Sequence, residues 1–228
     1  MFDRIVNSGK YNEEAGRKAF FELTTGLAYL NDQGIAHRDL KPENFMLASN
    51  KPDAVVKVAD YGLSKILQSG DSQAQTVCGT PSYVAPEILE CLESDGSYDA
   101  IKADGWSLGC NLYILLGGYP PFWKYADNQR KLFDAIMAND WSFDQPVWDE
   151  ISDDAKALIK KLMEPDVSKR LKPKDALKDK WVTNKAPEKD LNVAVENMKL
   201  HVLQSRFRKA GLAVMFKSRL GGPETVSA

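Results

Sequence analysis

The sequence predicts a mainly α-helical fold carrying one small β-hairpin. Three observations point to it. Apolar residues recur at helical spacing in six separate segments. Two short apolar runs, Phe45–Ala48 and Val55–Val58, flank an Asn-Lys-Pro-Asp turn. The segments are separated by strong breakers, among them Gly117-Gly118, Pro120-Pro121 and Glu164-Pro165-Asp166.

The first helix is predicted over Glu13–Leu30, with Ala15, Ala19, Phe20, Leu23, Leu27 and Leu30 on its apolar face. Asn12 is its N-cap and Gly34 its stop. An irregular stretch, His37 to Asn44, leads into the hairpin. From Asp60 to Pro86 the chain is polar, rich in Gly, Ser and Gln, and has no period; so long a loop in a compact domain is usually functional. Helices follow over Pro86–Leu92, Ala103–Leu116, Asn128–Ala138, Asp153–Met163 and Pro173–Lys180, with Ser152 and Asp153 at the cap of the fourth of these. After Trp181 the composition shifts. The expected organisation is a helical domain over 1–183, a polar linker over 184–192, a basic amphipathic segment over 193–220 and a tail over 221–228.

Bulk composition narrows the function. With 228 residues, 43% hydrophobic and 27% charged, the chain has the make-up of an ordinary globular protein. A net charge of −2 provides no general attraction to nucleic acid or to a membrane surface. Cys78, Cys91 and Cys110 are odd in number and far apart, which argues against a disulfide framework or a zinc site and for a reducing compartment. A cytoplasmic or nuclear location is the expectation. The start, MFDRIVNSGK, has no signal-peptide core, and the longest apolar stretch, near Leu112–Leu116, is too short to span a bilayer.

The chemistry is carried by three ordered motifs: His37-Arg38-Asp39-Leu40-Lys41-Pro42-Glu43-Asn44, then Asp60-Tyr61-Gly62 sixteen residues after Asn44, then Ala85-Pro86-Glu87. In order and spacing they resemble the catalytic loop, metal motif and activation-segment end of protein kinases, and the resemblance covers nearly all of the chain. Phosphoryl transfer needs an aligned hydroxyl and neutralised phosphate charge more than covalent help.

The resemblance assigns roles. Asp39 is expected to orient the substrate hydroxyl and accept its proton, Lys41 to reach the transferring phosphate, and Asn44 and Asp60 to hold Mg2+ through oxygen. Lys41 beside Pro42, with Gly79-Thr80-Pro81-Ser82-Tyr83, favours the serine/threonine class, in which the Thr80 hydroxyl bonds the catalytic Asp and Lys. Met46 and Ala59 match positions under the adenine of ATP. Glu43 matches one near the ribose that pairs with a basic substrate residue; a plain solvated acid is the alternative. Thr76 resembles an activation-loop phosphosite whose phosphate Arg38 would bind bidentately, or it is an ordinary loop threonine. His37, Tyr61 and Gly62 match structural positions around the metal motif, Asp104 a brace of the catalytic loop, and Arg170 the partner of Glu87. Two departures are visible: Tyr61 stands where the family usually has Phe, and Gly105 sits inside a helix, at about 0.5–1 kcal/mol relative to Ala, which suggests close packing.

A complete kinase also carries a Gly-rich loop and a lysine strand, and neither pattern precedes His37 in these residues. Met1-Phe2-Asp3-Arg4-Ile5 resembles the stretch just after the hinge in the calcium/calmodulin-dependent group, so Met1 reads as an internal methionine of a longer kinase. The chain is thus expected to be the C-terminal lobe, with negligible activity by itself; the competing reading is a non-catalytic kinase-like binding module.

From Met198 to Leu220 the chain holds six basic residues and no acid. Leu203, Phe207, Phe216 and Leu220 are apolar anchors, and Gly211 weakens the helix. A basic amphipathic helix suits a membrane surface or calmodulin. Its place after the lobe resembles the autoinhibitory, calmodulin-binding segment of the calcium/calmodulin-dependent kinases; a solvated helix packed on the lobe is the plain alternative. The partners this implies are protein substrates and calmodulin.

Overall fold

The computed structural model describes residues 1–9, 11–51, 54–66, 73–74, 80–94 and 96–205. A short helix, α1 (Phe2–Ser8), closes at Gly9, whose φ of 65° favours a residue without a Cβ. The long α2 (Glu13–Asp32) begins at Asn12, whose side chain accepts the Ala15 N–H at 2.9 Å. Glu13 and Glu14 in its first turn suit the positive end of the helix. Then come β1 (Ile35–Ala36), β2 (Phe45–Leu47), β3 (Val56–Val58), β4 (Lys65–Ile66), β5 (Gln73–Ala74), α3 (Pro86–Glu93), β6 (Tyr98–Asp99), α4 (Ala100–Gly117), α5 (Gln129–Met137), α6 (Asp153–Leu162), α7 (Pro173–Ala176), α8 (Lys180–Thr183) and α9 (residues 192–205). The strands form three antiparallel pairs, β1–β4, β2–β3 and β5–β6.

The expected hairpin is β2–β3, with Phe45 opposite Val58 and Leu47 opposite Val56. The six helices expected within 13–180 are present, with two changes, while the basic segment expected over 193–220 is described only as far as residue 205. The helix expected from Ala103 starts at Ala100, because Asp99 caps it by accepting the Ile101 and Lys102 N–H groups at 3.0 Å. The helix expected over Pro173–Lys180 is two, α7 and α8; Asp179 caps the second by accepting the Trp181 N–H at 2.9 Å. The sequence reading passed over α1 and the two-residue strands β1 and β4, which are too short to show a period.

The core is built around α4. Only Ile101 and Lys102 of its 18 residues are not buried, as expected for a helix apolar on every side. It packs between α2 and α6. A Cβ at Gly105 would lie 2.7 Å from the Leu171 carbonyl oxygen, and one at Gly109 2.7 Å from Met163 Cγ, so both glycines let neighbours reach the helix backbone. A buried carboxylate, Glu13, joins three elements: Oε1 accepts Ser152 Oγ–H at 2.5 Å and the Trp181 indole N–H at 2.7 Å, and Oε2 accepts the Ser152 N–H at 2.9 Å.

The segment after α8 is tied to α2. Ala186 N–H donates to Glu14 Oε2 at 2.9 Å, and Leu191 N–H to the Tyr11 carbonyl at 2.8 Å. The root of α9 belongs to the core. Leu191, Ala194, Val195 and Met198 are buried, and Asn197 Nδ2 donates to the Gly117 carbonyl at 3.0 Å. At about 1.5–3 kcal/mol per large apolar side chain, that burial holds the first two turns in place. No described helix is long and apolar enough to cross a membrane.

Candidate active site

The site grows from the turn between β1 and β2. Arg38 takes a φ of 68°, a left-handed conformation that an L side chain rarely adopts. It is held there by Asp104 of α4, whose carboxylate accepts the His37 N–H at 2.9 Å, the Arg38 N–H at 2.8 Å and Asn31 Nδ2–H at 3.3 Å. Burial pushes the Asp104 carboxyl above the usual carboxylate range, against the pull of those donors. Asn111, about two turns further along α4, donates to the Leu40 carbonyl at 3.2 Å, so α4 grips the loop on both sides of Asp39.

That backbone presents a compact polar triangle. Thr80 Oγ1–H donates to Asp39 Oδ1 at 2.8 Å, Lys41 Nζ donates to Asp39 Oδ2 at 2.5 Å, and Lys41 Nζ lies 3.1 Å from Thr80 Oγ1. Asp39 is 8% exposed, yet the Lys41 ammonium balances its charge. Asn44 Nδ2 donates to the Asp39 carbonyl at 2.9 Å. The Asn44 carbonyl accepts the Ala59 N–H at 2.8 Å, so the hairpin sets Asn44 beside the segment that carries Asp60.

Asp60 also lies in the left-handed region, with a φ of 63°, and its Oδ1 accepts the Gly62 N–H at 3.3 Å. His37 braces this second turn. Its Nδ1 accepts the Asp39 N–H at 3.3 Å, so its Nε2 carries the proton and donates to the Ala59 carbonyl at 3.2 Å. Its ring meets Tyr61 at 5.3 Å between centroids, and the Tyr61 hydroxyl donates to the Val58 carbonyl at 2.8 Å. The tyrosine in place of phenylalanine is thereby accommodated.

The oxygen donors fit a hard cation. The hydrogen bond of Asn44 Nδ2 leaves its Oδ1 as the ligand atom, and Asp60 is an exposed carboxylate. Among the described residues no three His, Cys, Asp or Glu side chains converge on one point. Two protein oxygens suit Mg2+, which keeps water and takes phosphate oxygens rather than filling a protein cage. Met46 is 54% exposed, and Ala59, next to Asp60, is half-buried.

Four other sequence-predicted residues lie outside the triangle. Arg38 Nε donates to the Leu63 carbonyl at 2.7 Å. Glu87 and Arg170 form a bidentate pair at 2.5 and 2.8 Å, with Arg170 fully buried and its guanidinium carbon 5.1 Å from the Trp106 ring centroid. Glu43 is exposed and accepts Ser205 Oγ–H of α9 at 3.2 Å. Thr76, Phe207, Phe216 and Leu220 lie outside the described residues; Leu203 is on α9, 49% exposed. Sequence reasoning missed Asn31, Asn111 and Asp99. Asn111 had left a signal, a lone amide in an otherwise apolar helical run.

A cavity of about 850 Å3 opens beside the triangle. It is lined by Thr80 and Glu43, by Trp123 and Val147, and by Val193 and Leu200 of α9.

The protein kinase domain model matches residues 1–182. The chain is 42% identical over 224 residues to a calcium/calmodulin-dependent protein kinase type 1 of Macrobrachium nipponense, covering 96% of this chain and 62% of that protein. It is 44% identical over 183 residues to a probable myosin light chain kinase of Dictyostelium discoideum, covering 80% and 50% respectively. It is 42% identical over 222 residues to the calcium/calmodulin-dependent protein kinase type IV of Mus musculus, covering 97% and 46%. The chain thus spans about half the length of the curated relatives it matches. With the Asp39–Lys41–Thr80 triangle inside the matched stretch, the chain belongs to the protein kinase family, and calcium/calmodulin-dependent kinases are among the proteins it is similar to.

Proposed function

We propose that this chain provides the substrate-binding half of an enzyme that transfers phosphate from ATP to serine or threonine hydroxyls of proteins. The observation that carries the reading is the triangle, in which one carboxylate is positioned by both a hydroxyl and an ammonium. Asp39 holds the incoming hydroxyl by hydrogen bond and takes its proton as the oxygen attacks. Lys41 faces the transferred charge, and Thr80 keeps Asp39 in one rotamer. When bound, ATP supplies the phosphoryl group and Mg2+ neutralises its charge; Asn44 and Asp60 would hold the metal, and Met46 and Ala59 would lie against the adenine.

In the whole protein that carries this chain, Thr80→Ala is expected to lower kcat for peptide phosphorylation by about tenfold to a hundredfold, since a misplaced catalytic group costs that much. Thr80→Ser keeps the hydroxyl and should restore most of the rate. Equal rates for parent and Thr80→Ala would leave the binding-module reading standing instead. Residues 1–228 by themselves contain neither a Gly-rich loop nor a lysine strand and should transfer phosphate at a negligible rate. Robust transfer by the purified 228-residue chain refutes that expectation.

Regulation by calcium and calmodulin is part of the same proposal. The basic, acid-free run from Met198 to Leu220 supports it, as does the course of α9 along the groove. Phosphorylation of Thr76 as an activating step rests on its place between the two motifs and on Arg38. A peptide covering Asn192–Leu220 should shift in a native gel with calmodulin only when calcium is present. No shift at about micromolar calmodulin removes the calmodulin reading.

A further inference from the structure

The turn that carries Asp60 is tied at several points. The Ala59 N–H donates to the Asn44 carbonyl at 2.8 Å, and the Ala59 carbonyl accepts from His37 Nε2 at 3.2 Å. Asp60 follows at a φ of 63°, and the Ser64 N–H donates back to the Tyr61 carbonyl at 3.0 Å. The Tyr61 hydroxyl closes the turn: it reaches back past Asp60 to the carbonyl of Val58, the last residue of β3, at 2.8 Å. Val58 is itself fixed opposite Phe45 in the hairpin.

Ring and hydroxyl do separate things. The ring lies against His37, a contact that phenylalanine would make as well. The hydroxyl adds a hydrogen bond to a backbone that holds Asp60 in the left-handed region. That conformation is costly for a residue other than glycine, by an amount comparable to the net worth of one hydrogen bond. Strain and a single bond of similar size oppose each other, so the hydroxyl weighs on how often Asp60 is held in this turn.

We propose that the Tyr61 hydroxyl is a positioning group for the metal-binding turn: by tying Tyr61 to Val58 it keeps the Asp60 carboxylate beside the Asn44 segment, ready for Mg2+. The inference rests on the kinase reading for what Asp60 holds. It gives the departure at position 61 a role that phenylalanine, with no donor, cannot fill.

Tyr61→Phe deletes the hydroxyl and keeps the ring. Hydrogen exchange read by mass spectrometry on the whole protein that carries this chain, without nucleotide or Mg2+, is the first measurement. Amides of residues 59–64 should exchange about two to five times faster than in the parent, the loss expected of one solvent-exposed hydrogen bond. Those of α4 should keep the parent rate, and the melting temperature should not move. At saturating ATP, the free Mg2+ needed for half-maximal peptide phosphorylation should rise by about the same factor, and by more than kcat falls, because only molecules with the turn in place take the metal. Tyr29→Phe, the same change at a ring 66% exposed on α2, should alter neither reading. Parent exchange rates over 59–64 in Tyr61→Phe overturn the inference. Faster exchange spread evenly over the lobe with a lower melting temperature overturns it too, by assigning the hydroxyl to general stability, as does faster local exchange with unchanged Mg2+ dependence. Exchange is read without ATP, so its failure leaves the kinase reading, which is tested at Thr80, untouched.

Discussion

The carboxylate of Asp104 accepts the backbone N–H of Arg38 at 2.8 Å while Arg38 sits at a φ of 68°. A side chain on the most buried helix thus holds a strained residue, and the one after it is Asp39, the proposed base. Two N–H groups point at two carboxylate oxygens, so the amide of an asparagine can satisfy only one of them. Asp104→Asn should therefore cost about 1–3 kcal/mol in urea unfolding. In the whole kinase it should lower kcat more than it changes KM, because Asp39 would lose its fixed position. An unchanged urea midpoint would falsify the brace.

The pair of Glu87 and Arg170 is buried, bidentate and stacked on Trp106. Arg170→Met leaves Glu87 without a counter-charge and should cost about 3–5 kcal/mol. Combining it with Glu87→Gln removes the orphaned charge, so the double variant should be more stable than Arg170→Met alone. A double-mutant cycle by thermal melting decides it; strictly additive losses rule out a direct coupling.

Gly105→Ala opposes two effects. Alanine favours a helix interior by about 1 kcal/mol relative to glycine. Its Cβ would lie 2.7 Å from the Leu171 carbonyl oxygen, a backbone atom that cannot rotate away. Overpacking of this kind costs about 1–3 kcal/mol, so the net effect should be a lower melting temperature. A raised one would mean that the Leu171 loop yields freely.

Glu14 supplies an acid-sensitive contact. The Arg17 guanidinium, with help from the Ala186 N–H, lowers its carboxyl pKa to about 2 in the fold from 4.5. A lowered folded pKa means that the folded state binds fewer protons, so the stabilisation is complete above pH 4.5 and is lost as pH falls toward 2. The difference in unfolding free energy between the parent and Glu14→Gln should be about 1–3 kcal/mol at neutral pH and shrink through that window. A difference independent of pH would assign the cost to packing instead.

Much of this was legible in the residues. Motif order alone paired Asp39 with Lys41, Asn44 and Asp60, because phosphoryl transfer constrains which groups must stand in line. Periodicity located the long helices, and Asn12 and Ser152 announced their starts. The two-residue strands left no trace, since period two cannot be read from a pair of positions. Asn31 was hidden for another reason: it serves the site by reaching a carboxylate far away in sequence, and no local pattern records such a reach.

By itself, then, the sequence determined the helical class and the hairpin, because those follow from local spacing and residue type, and its motifs, by their resemblance to a known family, named the family and the groups expected to do the chemistry. Only the tertiary structure decided that Asp104 holds Arg38 in a left-handed turn, that Gly105 admits a backbone carbonyl, and that the polar stretch after Trp181 is stitched to α2. It also decided that the first turns of α9 are rooted in the core through Ala194, Val195 and Met198. These are relations between residues remote in the chain, set by where buried surface and buried hydrogen bonds are satisfied together, which no window of sequence contains.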